Sequence, residues 1–267
     1  AHFVIFWGFL SFIFSYFMFI YLDLAWRPIK RFIPGGDSES PLSHHILTET
    51  GVYLYSSYID LLATAFLIVL VWAATRRWIS KPNRLMFDLT RKSESAIILL
   101  LIAALMLLTI LTEALYIVSG GEGPEASVPV GATVGNLIAE FGLLSESESK
   151  LFYELSWWAH LVVILGFALY IPISKHMHIV ASPLSFIFRS LEPMGTLSTP
   201  HNLESEQSFG AGMIKDFTWK ELLDGYACAV CGRCTESCPA NVAGKSLSPM
   251  HIVENLKEHL LEVGPSM

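Results

Sequence analysis

The chain has 267 residues, of which 53% are hydrophobic and 15% charged, with a mean hydropathy of +0.51. A soluble domain carries about 25% charged residues, so the composition excludes a disordered chain and speaks against an ordinary soluble enzyme. A formal net charge of −7 leaves no electrostatic footprint for nucleic acid. All four cysteines fall between positions 228 and 238, which fits a metal or cluster site in a reducing compartment better than a disulfide scaffold.

Crossing a bilayer as a helix takes about 20 consecutive apolar residues. Four stretches qualify: Phe3–Leu22 with no charge, Val52–Thr75 with Asp60, Ala96–Val118 with Glu113, and Leu151–Ile173 with Glu154 and His160. The expected fold is therefore all-α, a transmembrane helix bundle. The first stretch starts almost at the first residue and has no small-residue cleavage site of a signal peptide, so a further span is expected upstream.

The connections set the orientation. Residues 76–92 hold Arg76, Arg77, Lys81, Arg84, Arg91 and Lys92, whereas residues 119–150 hold Lys150 against five glutamates. Lys and Arg mark the cytoplasmic side, which places the 76–92 connection and the C-terminal tail in the cytoplasm, with the chain in the cell membrane. The 119–150 connection is rich in Gly, Pro and Ser, with one short apolar piece, residues 136–144, expected on the outer surface. Residues 179–218 start apolar and turn polar, and read as a linker at the membrane interface. The expected division is 1–178 for the membrane domain, 179–218 for the linker and 219–267 for a small α-helical, ferredoxin-like domain.

That last domain carries Cys228-Ala-Val-Cys231-Gly-Arg-Cys234-Thr-Glu-Ser-Cys238-Pro239. The spacing C-x2-C-x2-C-x3-C-P is the bacterial-ferredoxin run for a [4Fe–4S] cluster. Its short gaps let one tight loop offer three thiolates to three irons. Gly232 permits close backbone approach, and Pro239 redirects the chain. A zinc site would need two C-x2-C pairs farther apart. In two-cluster ferredoxins the fourth cysteine serves the other cluster, so Cys238 either completes this cluster or awaits partners beyond Met267. The pattern from Met250 to Val263 predicts a helix, with His251 and His259 on its surface.

His2, His160, His176 and His178 lie in or beside the spans. Ionisable side chains there are costly unless they are used, and two imidazoles from different helices at one depth suit b-type haem. His2 and His178 both sit at the cytoplasmic ends of their helices. His160 is 18 residues from His178, about 27 Å along a helix, and belongs to the outer half. Asp60 and Glu113 fall near its level. Together they suggest either a quinone pocket with a proton exit or an interhelical hydrogen-bond set that glues the bundle. His44 and His45, in the connection before the second span, are weaker partners for His160.

His2-Phe-Val-Ile-Phe-Trp-Gly-Phe, Trp157-Trp158-Ala-His160 and Lys175-His176-Met-His178-Ile-Val-Ala-Ser-Pro183 resemble the nitrate reductase gamma-subunit type of cytochrome b domain. Asp216-Phe-Thr-Trp219-Lys, the cysteine run with Tyr226-Ala before it, and Gly244-Lys-Ser-Leu-Ser-Pro249 resemble heterodisulfide-reductase-like iron–sulfur proteins. Their fusion is similar to membrane-bound electron-transfer-flavoprotein:menaquinone oxidoreductases. The resemblance implies five spans, haem b between His2 and His178, and His160 as a ligand of an outer haem. Its partner would fall ten residues after His2, where this chain has Phe12, so His160 serves either a second haem with another ligand or the quinone. The resemblance also implies a quinone-linked oxidoreductase that relays electrons between a cytoplasmic carrier and menaquinone. That carrier would be an electron-transfer flavoprotein or a heterodisulfide-reductase-like subunit. The alternative is a non-catalytic membrane anchor for a larger soluble oxidoreductase.

Overall fold

The computed structural model describes residues 2–16, 49–82, 92–121, 128–193 and 211–266, and all regular structure among them is helical. The chain divides into two units. The first comprises residues 1–80 and 96–167, the second residues 81–95 and 168–267.

In the first unit, α1 is His2–Tyr16, α2 is Glu49–Thr75 with a π-turn Arg76–Ser80 at its end, α3 is Lys92–Val118, α4 is Pro129–Glu140 and α5 is Glu146–Tyr170. α3 and α5 each continue for a few residues into the second unit. Among the described residues, three helices are long and apolar enough to cross a membrane: Thr50–Ser80, Ser93–Val118 and Ser147–Tyr170, with hydropathies of 2.0, 2.8 and 1.5. At most 28% of the apolar window of any of them is buried within the chain. Leu54, Val71, Leu100, Val162 and Leu169 are all more than half exposed. Side chains this apolar and this uncovered belong in hydrocarbon rather than water. Arg76 stacks over Trp72, 5.4 Å from the ring centre, a cation–aromatic pair suited to the membrane–water boundary.

The sequence predicts four spans. Among the described residues, three helices meet the length of a span. The first predicted span, 3–22, is described only as far as Tyr16, as the 15-residue helix α1, and its remainder lies outside the described residues, as do His44 and His45. α1 crosses α2 closely: a Cβ on Gly8 would sit 2.1 Å from the Phe66 ring, Ser11 Oγ lies 3.0 Å from Tyr58 Oη, and Phe12 meets Phe66 edge-on at 5.8 Å.

The apolar piece expected at 136–144 overlaps a longer helix, α4, that begins seven residues earlier. Pro129 opens it at the first helical position, where a missing N–H costs nothing. Gly131 and Gly135, one turn apart, let α4 lie on α3. A Cβ at Gly131 would come 2.9 Å from Glu113 Cβ, and one at Gly135 would come 2.9 Å from the Ala114 carbonyl oxygen. Small residues spaced by four are how helices approach this closely in an apolar medium.

The second unit begins with a 3-10 turn, Lys175–Met177, that runs into α6, His178–Ile187. A 3-10 turn Ile214–Asp216 precedes α7, Trp219–Ala227; then come α8, Arg233–Glu236, α9, Pro239–Val242, and α10, Pro249–Val263, closed by a 3-10 turn Gly264–Ser266. Thr218 and Glu221 form a capping box at the start of α7: Glu221 N–H donates to Thr218 Oγ1 at 3.3 Å and Thr218 N–H to Glu221 Oε2 at 2.8 Å. Such reciprocal capping satisfies two otherwise orphaned donors. α10 matches the helix predicted from Met250 to Val263, with Ser248 as its cap. The segment read as the start of a linker is helical instead, and α6 packs against α7.

Candidate functional site

The cysteine loop grows out of α7. Cys228 is the residue at which that helix ends, with φ −74° and ψ 121°. Val230 follows at φ +52° and Gly232 at φ +73°. Glycine adopts that region freely, whereas a β-branched residue does not. Val230 is nevertheless buried, at 7% exposure, so packing holds the loop in a strained turn; such a residue costs about 1–3 kcal/mol. Cys234 sits on the one-turn helix α8, and Cys238 caps α9, whose first residue is Pro239. Pro239 opens a new helix after the fourth cysteine, the change of direction expected of it, whereas Gly232, expected to permit close backbone approach, makes a left-handed turn.

The loop is fastened to α10 by Thr235, which is fully buried. Its Oγ1 lies 2.9 Å from Ser248 Oγ and accepts from Met250 N–H at 3.4 Å. Sequence reading alone did not single out Thr235, because its partners lie 13 and 15 residues away.

Cys228 and Cys238 are half-buried, Cys231 and Cys234 exposed, and none is in a disulfide. Burial pushes the Cys228 thiol up, a hydrogen bond with the Val230 backbone works against that, and Cys234, Cys231 and Glu254 add to the rise. Among the described residues, no three His, Cys, Asp or Glu side chains converge on a single metal ion. What fits a cluster is the donor type and the C-x2-C-x2-C spacing, which offers each thiolate to a separate iron, where zinc would want two C-x2-C pairs farther apart.

α6 and α7 pack antiparallel, and named contacts fix their register. Ser182 Oγ donates to the Ala227 carbonyl at 3.2 Å, Ser185 Oγ donates to Asp224 Oδ1 at 2.5 Å, and Phe188 meets the Trp219 ring edge-on at 5.2 Å. Lys220 braces the middle pair, 2.6 Å from Asp224 Oδ1. As α6 runs forward, α7 runs back. His178, one turn before Ser182, therefore lies at the end of α7 where Cys228 begins the cysteine loop. The 3-10 turn Lys175–Met177 touches α7 as well.

His178 is half-buried, and its Nδ1 lies 2.7 Å from the Lys175 carbonyl. A carbonyl only accepts, so Nδ1 carries hydrogen and the lone pair of the neutral ring sits on Nε2. A metal-ligating histidine is commonly oriented through its other nitrogen in this way. His176 lies beside it, ring centres 5.5 Å apart. Burial first, then repulsion from His178 and Lys175, holds His176 down to about 4. Lys175 is itself buried and donates to Ser95 Oγ.

His2 and His160 belong to the first unit, and His178 to the second. His2 is exposed on α1, and His160 is half-buried on α5.

Asp60 and Glu113, grouped only by depth in the sequence, come together at Gly131: its N–H donates to Asp60, and a Cβ on it would sit 2.9 Å from Glu113 Cβ. Asp60 is fully buried, its Oδ2 accepting from Val130 N–H at 2.6 Å and its Oδ1 from Gly131 N–H at 3.3 Å. It thus caps the N-terminus of α4 from a different helix, where backbone donors and the helix dipole favour an anion. Glu113 lines a cavity of about 230 Å³ together with Ser56, Thr112, Tyr116, Val128 and Tyr153. His160 is not among the lining residues. The hydroxyls of Thr112, Tyr116 and Tyr153 were not singled out from sequence; their signal was the rarity of polar side chains inside apolar spans.

No family model and no solved structure matches the chain. It is 34% identical over 214 residues, 80% of its length, to the probable iron-sulfur-binding oxidoreductase FadF of Bacillus subtilis. It is 33% identical over 220 residues, 77% of its length, to the EtfAB:quinone oxidoreductase of Syntrophomonas wolfei. The chain is thus similar to part of a probable iron–sulfur-binding oxidoreductase and to part of a quinone oxidoreductase. A 53-residue stretch is 40% identical to a probable membrane-anchored ferredoxin of Chromohalobacter salexigens. The chain spans 29% of the length of each of the first two relatives.

Proposed function

We propose that the chain is the membrane-embedded, electron-transferring part of a quinone-linked iron–sulfur oxidoreductase. It exchanges electrons between a cytoplasmic carrier, such as an electron-transfer flavoprotein, and menaquinone. Cys228, Cys231 and Cys234 hold a [4Fe–4S] cluster, with Cys238 as its fourth ligand or as the ligand of a second one. His178 holds haem b, with His2 as the second ligand on the evidence of the sequence pattern; His160 is the candidate for an outer haem. Both groups, when bound, carry one electron at a time and leave placement and tuning to the protein. The cysteine loop and the basic 76–92 connection face the cytoplasm in this reading.

One observation carries the reading. The antiparallel register of α6 on α7 puts an oriented imidazole, His178, at the helix end from which the cysteine loop begins. A relay needs two redox groups side by side, and a mere anchor has no use for that arrangement. The names of the relatives agree with it: two are oxidoreductases, and one is named for a quinone and for EtfAB.

The test is cofactor analysis of the full-length protein purified without oxygen. Expected are iron with acid-labile sulfide and reduced b-type absorption. Cys234→Ser abolishes the sulfide and His178→Ala the haem absorption, and each variant stops quinone-dependent electron transfer. Transfer that is indifferent to both substitutions, or intact protein without sulfide, contradicts the proposal.

A further inference from the structure

The cavity beside Glu113 lies inside the first unit, lined from α2, α3 and α5, with Val128 at the entrance to α4. We infer that it seats the head group of a quinol, and that Glu113 recognises the ring hydroxyl. This rests on the quinone reading and adds to it a place and a residue.

The acceptors come first. Asp60 spends both carboxyl oxygens on the Val130 and Gly131 N–H groups at the start of α4. Beside it, Oε2 of Glu113 is buried and has no hydrogen-bond partner among the described residues. A buried acceptor left unpaired costs about 1–3 kcal/mol, and one beside a cavity asks for a donor from whatever fills that cavity.

The shape selects the donor. A cavity of about 230 Å³ is below the roughly 300–1,000 Å³ of sites that enclose a whole small molecule, so it takes a ring and leaves a tail outside. Tyr116 and Tyr153, ring centres 5.7 Å apart, provide an aromatic wall. Thr112 is already committed, donating to Ser156 Oγ at 3.0 Å. A divalent cation would want six or more oxygen ligands, yet Asp60 already spends both oxygens on backbone donors. An aromatic hydroxyl on a lipid-soluble molecule meets each requirement: it donates to Oε2, stacks on the tyrosines, and lets its apolar tail run along the uncovered faces of the spans.

The experiment uses the full-length protein under anaerobic conditions and menadiol as the probe, with binding measured by equilibrium titration and turnover followed separately. Glu113→Gln keeps a carbonyl acceptor at similar volume, so it is expected to bind within about twofold of the wild type. Glu113→Leu removes the acceptor at similar volume and is expected to weaken binding about tenfold, the loss of one buried hydrogen bond. Ser56→Leu fills the cavity without touching either carboxyl and is expected to do the same, with iron content and helicity unchanged. Wild-type binding that neither Glu113→Leu nor Ser56→Leu disturbs overturns this site while leaving the proposed function intact. A Glu113→Gln variant as weak as Glu113→Leu overturns the role given to Glu113. A wild-type protein that neither binds nor turns over menadiol overturns the site and the quinone reading together.

Discussion

Thr235→Val probes how the cysteine loop is held. Valine matches threonine in shape, so the fully buried site keeps its packing and loses only the hydroxyl. Ser248 Oγ, at 2.9 Å, and Met250 N–H, at 3.4 Å, then lose their partner. Each such bond is worth about 0.5–1.5 kcal/mol. The second is long and lies in the first turn of α10, where N–H groups lack intrahelical partners anyway. Together they put the cost at about 1–2 kcal/mol, which raises the population of the opened loop about 5–30-fold. Local opening governs the access of a chelator to bound iron, so the bleaching rate of the cluster absorbance under excess chelator should rise by that factor. Thr235→Ser, which keeps the hydroxyl, should bleach near the wild-type rate. Equal rates for Thr235→Val and wild type, with helix content unchanged in both, would show that the tie to α10 does not hold the loop.

Substitutions at three further positions test the geometry. Asp60→Ala removes the cap of α4 and should cost about 1–2 kcal/mol there, seen as faster amide exchange at Val130 and Gly131 with little change at the far end of α2. Gly232→Ala forces a side chain into φ +73° and should destabilise the loop by about 1–2 kcal/mol, read as a lowered midpoint for thermal loss of the cluster. At Gly225, a Cβ would lie 3.5 Å from Lys257 Cβ, an ordinary contact; Gly225→Ala should therefore be tolerated, whereas Gly225→Leu should drive α7 from α10 and lower the melting temperature of the second unit.

Much of this was legible in the sequence because the signals are local. Apolar runs located α2, α3 and α5, and the alternation of apolar and polar residues located α10 to within a residue at its start. Within the cysteine run, Pro239 announced the change of direction it makes. What stayed hidden depends on contacts far apart in the chain. Asp60 and Glu113 share a depth in any helical reading, but their meeting and the capping of α4 by Asp60 join positions 70 residues apart. Residues 179–218 read as a linker because they start apolar and turn polar; the helix α6 at their start leans on contacts with α7 through Ser182, Ser185 and Phe188, far away in the chain. His160 shared the depth argument with Asp60 and Glu113, yet it does not line their cavity, since depth fixes height along a helix and not the direction a side chain takes.

The account stands on the closeness of His178 to the cysteine loop. Ser182 Oγ is 3.2 Å from the Ala227 carbonyl, which puts the backbones of His178 and Cys228 roughly 10–15 Å apart. Pulsed electron paramagnetic resonance on the full-length holoprotein measures that closeness directly, through the spin relaxation of the reduced cluster when the haem proposed at His178 is poised in its low-spin ferric state. The account predicts relaxation that is strongly enhanced in the wild type and slow in His178→Ala. A cluster signal whose relaxation is the same in both would contradict it.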